Sequence, residues 1–303
     1  MPKVGYVTIL GLPNAGKSTL MNTLLGQKLA ITNQKPQTTR KRILGILTED
    51  DYQIIFNDTP GILNPSYLLQ EKMMEDVNYA IKDADLLIII IDVSDETEIK
   101  RALMNDYLKE VFEYKNNPKV LVLNKVDLLN QERVKEFIEK FQSMKIFDAV
   151  IPISAELNFN VDSVLEKIIE YLPEGPKLYP DEIIAEADER FFVSEIIRER
   201  ILDLYGDEIP YSCEVLIVEF KERENAKDYI SAEIVVEKET QKPIIIGNQG
   251  RAIKKLGERS RKAIEEFLQK EVYLELRVKV RDKWRSNENM LKSFGYGRGK
   301  DKE

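Results

Sequence analysis

Apolar residues recur along this chain in two rhythms. Over residues 1–172, short Ile/Val/Leu-rich runs at 4–10, 54–57, 86–92, 120–123 and 149–153 alternate with longer stretches at 17–25, 68–81, 99–114, 131–144 and 161–171, whose apolar positions follow a helical repeat. Runs this short and this apolar read as strands buried on both faces, so the first half predicts an α/β domain, a mostly parallel sheet with helices between its strands. Residues 173–180, PEGPKLYP, hold three prolines and a glycine. That composition stops the preceding helix and places a linker at 173–182. Beyond it, helical spacing over 188–205, alternation over 213–220 and 229–236, an amphipathic helix over 252–268 and alternation over 272–280 predict an α+β domain across 183–303, with 292–303 fraying.

At 303 residues the chain is long enough for two cores, and 43% apolar with 32% charged residues suits a soluble globular protein. The longest unbroken apolar run, residues 86–91, is too short to span a bilayer, and the start lacks a charged-then-apolar leader. A cytoplasmic monomer is the expectation. Cys213 stands alone, which excludes an intrachain disulfide and a Cys-based zinc site. Histidine is absent, so chemistry must run on charge stabilisation, carboxylates and metal-bound oxygens. Net charge is −8, yet residues 242–303 carry 17 Lys+Arg against 9 Asp+Glu. A basic end on an acidic body points to a polyanionic partner.

The most specific chemistry follows the first predicted strand. In GLPNAGKS, residues 11–18, the loop Gly11, Leu12, Pro13, Asn14, Ala15 and Gly16 turns backbone N–H groups toward a polyphosphate, with Thr19 next to it. Lys17 reaches the terminal phosphates, and the Ser18 hydroxyl ligates Mg2+. Asp58, Thr59, Pro60 and Gly61 close the strand at 54–57, where Asp58 holds Mg2+ through water and the Gly61 N–H meets a γ-phosphate. Asn124, Lys125, Val126 and Asp127 close the strand at 120–123. A carboxylate there accepts from the guanine N1–H and exocyclic amine, a donor pair that adenine lacks. Ser154 and Ala155, followed by Glu156, close the next strand and direct the Ala155 N–H at guanine O6. A threonine of PQTTR, residues 36–40, completes the Mg2+ shell only with the γ-phosphate present. Ile62 stands where many GTPases place a water-orienting glutamine, so Lys17, Gly61 and the switch threonine are the catalytic candidates and intrinsic turnover is expected to be slow.

In the second half, Gly247, Asn248, Gln249 and Gly250 open a helix bearing Arg251, Lys254 and Lys255. A Gly-x-x-Gly turn there lets a nucleic-acid backbone approach closely and suggests a KH module. Arg281 and Lys283 follow, with Trp284 expected to stack on an unpaired base.

Together GLPNAGKS, PQTTR, DTPG, NKVD, SAE and IIIGNQG, with SEIIRERIL and LELRVKVRDKW, resemble the bacterial Era GTPases over essentially the whole chain. The resemblance implies a P-loop GTPase domain followed by a type II KH domain, and GTP hydrolysis to GDP coupled to binding the 3′ end of small-subunit ribosomal RNA in small ribosomal subunit assembly. By motif it implies Thr39 as the switch Mg2+ ligand ahead of Thr38, and Asn14 as the residue that helps hold K+ near the phosphates. A weak peripheral association with the inner face of the cell membrane is expected beside the cytoplasmic location. The competing expectation is a signalling GTPase with a protein- or membrane-docking second domain.

Overall fold

The computed structural model describes residues 1–224 and 226–297. They form two compact units, one of Met1–Pro65 with Lys72–Glu186, the other from Ala187 onward together with Ser66–Glu71.

The first unit runs β1 (Lys3–Leu10), α1 (Lys17–Leu25), β2 (Ile43–Thr48), β3 (Tyr52–Asp58), α2 (Leu68–Asp83, which enters this unit at Lys72), β4 (Leu86–Asp92), α3 (Glu96–Met104), α4 (Asp106–Glu113), β5 (Lys119–Asn124), α5 (Gln131–Ser143), β6 (Ala149–Pro152) and α6 (Val161–Tyr171). Six strands form one sheet in the order β2-β3-β1-β4-β5-β6, with β2 antiparallel to β3 and every other pair parallel. Central β4 is buried from Leu86 to Ile91 because helices cover both faces of the sheet. Its Leu87, Ile89 and Ile91 pack with Val77 of α2, Leu108 of α4 and Phe141 of α5 in one continuous core. β1, β3 and β5 all end at the edge where Gly11 follows β1 and Asp58 and Asn124 close β3 and β5, the carboxyl edge at which open α/β sheets bind ligands.

In the first unit, three features depart from the sequence expectation. β2 has no counterpart among the expected strands. The helix expected over 99–114 is two, because Asn105 breaks the turn and its side chain caps α4, accepting from the Leu108 N–H at 3.0 Å. The segment read as a linker, 173–182, is fastened to the sheet, Val4 N–H donating to Pro173 O at 2.9 Å, and so are the residues after it that were expected in the second domain, Ile46 N–H donating to Ile184 O at 2.9 Å. The fully buried Gln53 amide accepts from the N–H groups of Leu178 and Tyr179 and donates to Tyr179 O and Thr48 Oγ1, all within 3.0 Å.

The second unit runs α7 (Glu189–Leu204), α8 (Ile209–Ser212), β7 (Cys213–Lys221), β8 (Asp228–Val236), α9 (Lys242–Ile246), α10 (Arg251–Leu268), β9 (Val272–Val280) and α11 (Glu288–Ser293). β8 is central, antiparallel to β7 and parallel to β9. Alternate residues Ile230, Ala232 and Ile234 of β8 point into a core with Ile197 of α7 and Leu256 and Ile264 of α10. Two short helices, α8 and α9, join the elements expected from sequence; each opens beside a proline at the first or second helical position, where its missing N–H costs nothing. Of the segment expected to fray, Lys292 and Ser293 close α11, while residues 298–303 lie outside the described residues.

Candidate functional site

The loop between β1 and α1 is shaped by what its glycines avoid. A Cβ on Gly11 would stand 2.5 Å from Ile90 O, and one on Gly16, at φ 104°, 2.1 Å from the Asn124 side chain. A Cβ on Gly61 would stand 2.8 Å from the Pro13 backbone, so the DTPG turn also packs directly against this loop. Leu12 and Ala15 are buried beneath it. Lys17 is buried and its Nζ donates to Gly11 O at 3.2 Å and Leu12 O at 2.9 Å. Burial lowers its ammonium to about 8, against the attraction of Asp58.

Ser18, Thr39 and Asp58, from three separate segments, meet at one point. Ser18 Oγ donates to Asp58 Oδ2 at 2.6 Å, Thr39 Oγ1 donates to the same oxygen at 3.2 Å, and the two hydroxyls are 2.8 Å apart. Asp58 Oδ1 is buried without a hydrogen-bond partner. Burial pushes the Asp58 carboxyl up, against the pull of Ser18, Lys17 and Thr39. One carboxylate and two hydroxyls beside a phosphate cradle is the donor set of Mg2+, which takes few protein ligands and completes its shell with phosphate oxygens and water. Among the described residues no cluster of three or more Asp, Glu, Cys or His offers an all-protein cage instead. The Thr38 hydroxyl is not part of this cluster, its Oγ1 donating to Lys35 O at 2.7 Å.

Around this point lies a cleft of about 640 Å³, lined by Asn14, Thr19, Lys125, Asp127 and Ser154 among others. Asp127 is exposed, and among the described residues its carboxylate has no hydrogen-bond partner. Lys125, at φ 67°, holds Asp92 Oδ2 at 2.5 Å. Asn124 is a brace: its Nδ2 donates to Ala15 O at 2.8 Å and its Oδ1 accepts from the Ala155 N–H at 3.0 Å.

Several sequence assignments change. The Ala155 N–H, expected on guanine O6, is taken by Asn124. Ile62 is buried in the core and its N–H donates to Gly11 O at 3.0 Å, so it does not line the cleft. Thr59 and Pro60 are buried, Thr59 Oγ1 donating to Ile9 O at 2.7 Å, and the Val126 N–H donates to Ile153 O; both hold the turns in place. Ile31, Thr32, Asn33 and Gln34 form a wall that sequence reading passed over, and Asn14 Nδ2 donates to Gln34 O at 2.7 Å. Their only signal was an aperiodic polar stretch between helix and strand.

In the second unit Gly247 and Gly250 take φ of 74° and 75°, and Gln249 takes 51°. A Cβ on Gly247 would sit 2.5 Å from that of Ala252, whereas Gly250 faces open space. Arg251, Lys254, Lys255, Arg281 and Lys283 are exposed, and none has an ion-pair partner among the described residues. By contrast Arg261, Lys270, Arg277 and Lys279 are each paired with a carboxylate. The exposed turn and the unpaired cations suit a phosphate backbone. Trp284 does not belong with them. It is 0% exposed, its indole N–H donates to Ser212 O at 3.0 Å and its ring packs on Phe294, so it is a core residue closed to a base.

Comparison with known proteins matches residues 6–125 to the family described as 50S ribosome-binding GTPase and residues 208–285 to the KH domain. GTPase Era of Clostridium botulinum is 43% identical over 296 residues, covering 98% of this chain and 99% of that protein. The chloroplastic GTPase ERA-like protein of Oryza sativa is 47% identical over 296 residues, covering 97% of this chain and 69% of that one. A crystal structure of Era in complex with MgGDPNP and nucleotides 1506–1542 of 16S ribosomal RNA superposes with a TM-score of 0.90 at 37% identity, covering 98% and 99% of the two chains. With the phosphate cradle, the Ser18–Thr39–Asp58 cluster and the Gly-x-x-Gly turn in place at this level of identity, the chain belongs to the Era family of GTPases.

Proposed function

We propose that this chain hydrolyses GTP with Mg2+ and uses the bound nucleotide to control its hold on the 3′ end of small-subunit ribosomal RNA, acting in small ribosomal subunit assembly. The observation that carries the reading is the meeting of Ser18, Thr39 and Asp58, which ties the switch loop to the metal site and so to the presence of a γ-phosphate. A structural relative holds both MgGDPNP and a 16S RNA fragment.

Lys17 and the N–H groups of the cradle and Gly61 bind and orient the phosphates, and Asp127 selects guanine. Mg2+, held by Ser18, Thr39 and Asp58, supplies charge neutralisation at the transferred phosphoryl group. Ile62 is turned into the core, so no side chain at that position orients water and the intrinsic rate is low. The Asn14 side-chain oxygen holds K+ beside the phosphates. The GNQG turn and the unpaired cations grip the RNA backbone, and the same cations give a weak, salt-sensitive attraction to an anionic membrane surface.

Single-turnover GTP hydrolysis tests the reading. Slow turnover alone, acceleration by the small-subunit RNA 3′ end, faster rates in K+ than in Na+ and loss on Thr39→Ala are expected. A fast rate without RNA, unmoved by Thr39→Ala, would overturn it; equal rates in K+ and Na+ would remove the Asn14 role.

A further inference from the structure

With Trp284 buried, the exposed aromatic surface of the second unit lies elsewhere. Tyr229 of β8 and Tyr273 of β9 are register partners whose rings stack at 5.9 Å and 14° on the face turned away from the core. Their neighbours in sequence, Ile230, Val272 and Leu274, point inward. Tyr273 is 58% exposed. The Arg223 guanidinium lies 5.5 Å from the centre of the Tyr229 ring and has no ion-pair partner among the described residues. The acids on this face are already held: Glu275 by Tyr229 Oη at 2.5 Å and Arg277 Nε at 2.9 Å, Glu233 by Lys279 at 2.5 Å. Another part of the face is closed, because Tyr296 Oη donates to Glu214 there at 2.7 Å.

A solvent-facing aromatic pair on an open sheet, with an arginine over one ring and its carboxylates neutralised, is the arrangement on which unpaired bases stack while cations meet the phosphates. We propose that Tyr273, backed by Tyr229 and Arg223, is a second RNA contact that stacks an unpaired base, separate from the GNQG turn. Helix α10 runs from that turn almost to the start of β9. Its 18 residues span about 27 Å of helix between the turn and the strand that carries Tyr273. The platform therefore engages only RNA long enough to leave the turn and cross the unit.

The inference rests on the proposed RNA-binding function, and the test separates the two. Full-length protein with a GTP analogue is titrated against a short fluorescent RNA covering the GNQG turn and against the same RNA extended by unpaired nucleotides on either side, one carrying 2-aminopurine. Tyr273→Ala weakens the extended RNA about 5-fold or more, by the worth of one stacked base. It leaves the short RNA unchanged and abolishes the 2-aminopurine quenching, while Tyr273→Phe behaves as wild type. Arg223→Ala gives a smaller loss, also confined to the extended RNA. Unchanged affinity and quenching in Tyr273→Ala, or equal losses on both RNAs, would overturn the platform alone. Wild-type protein that binds neither RNA would overturn the proposed function and the platform together.

Discussion

Trp284 is the only tryptophan in the chain, so its fluorescence reports one place. Burial at 0% exposure predicts blue-shifted emission, weak quenching by acrylamide and no response to RNA. Trp284→Phe keeps most of the apolar contact but leaves Ser212 O without its 3.0 Å donor, a loss of about 1–2 kcal/mol. Trp284→Ala also opens a cavity beside Phe294 and costs about 3–5 kcal/mol. For a unit of this size that lowers the thermal midpoint by more than about 10 °C. A base platform behaves in the opposite way, costing about 1–3 kcal/mol of RNA binding and little stability. Differential scanning calorimetry and RNA titration of wild type and both variants decide between them. Exposed, RNA-quenched emission, together with a Trp284→Phe variant that is stable but weak for RNA, would refute the argument from burial.

Asn124→Ala removes the brace between the phosphate cradle and the Ser154–Ala155 turn and leaves two buried backbone groups unpaired, each worth about 1–3 kcal/mol. GDP affinity falls at least about tenfold by fluorescent-nucleotide titration, and a change under about twofold would contradict the bracing role. Gln53→Ala releases the segment after α6, so hydrogen exchange at the Leu178 and Tyr179 amides speeds up while GDP binding holds; unchanged protection would show that the amide does not fasten it. Asp76 is raised from 3.8 to about 6 by burial above all, with Arg42 opposing and Glu75 adding. Between these two values the folded chain keeps a proton that the unfolded chain has lost, so stability falls as pH rises through the window, by at most about 1.4 kcal/mol per pH unit from this group. Asp76→Asn flattens that slope and raises stability near neutrality; urea titrations that show the same slope in both proteins would refute the assignment.

Local signals carried well from sequence to structure. The run at 86–91 is a buried strand because six large aliphatics in succession fit only between two helical layers. Helix α1 ends at Leu25 because Gly26 takes φ 67° and returns its N–H to Asn22 O and Thr23 O. What escaped depends on distant partners. Gln53 looks like any strand residue until its amide meets a segment 125 residues on. Ala155 offers a free N–H on paper, but Asn124, 31 residues earlier, takes it. β2 is one of the two edge strands of its sheet, with Gly45 interrupting its apolar pattern, and Trp284 sits among Arg281, Lys283 and Arg285 in a run that reads as surface.

Binding of the GTP-analogue and GDP forms to a fluorescent RNA spanning the small-subunit ribosomal RNA 3′ end, against a scrambled RNA at two salt concentrations, tests the central claim most directly. Selective binding that changes with the nucleotide and is lost on Gly247→Asp/Gly250→Asp is the predicted result. Equal binding of both RNAs in both nucleotide forms would contradict it, leaving only a charged surface beside a GTPase.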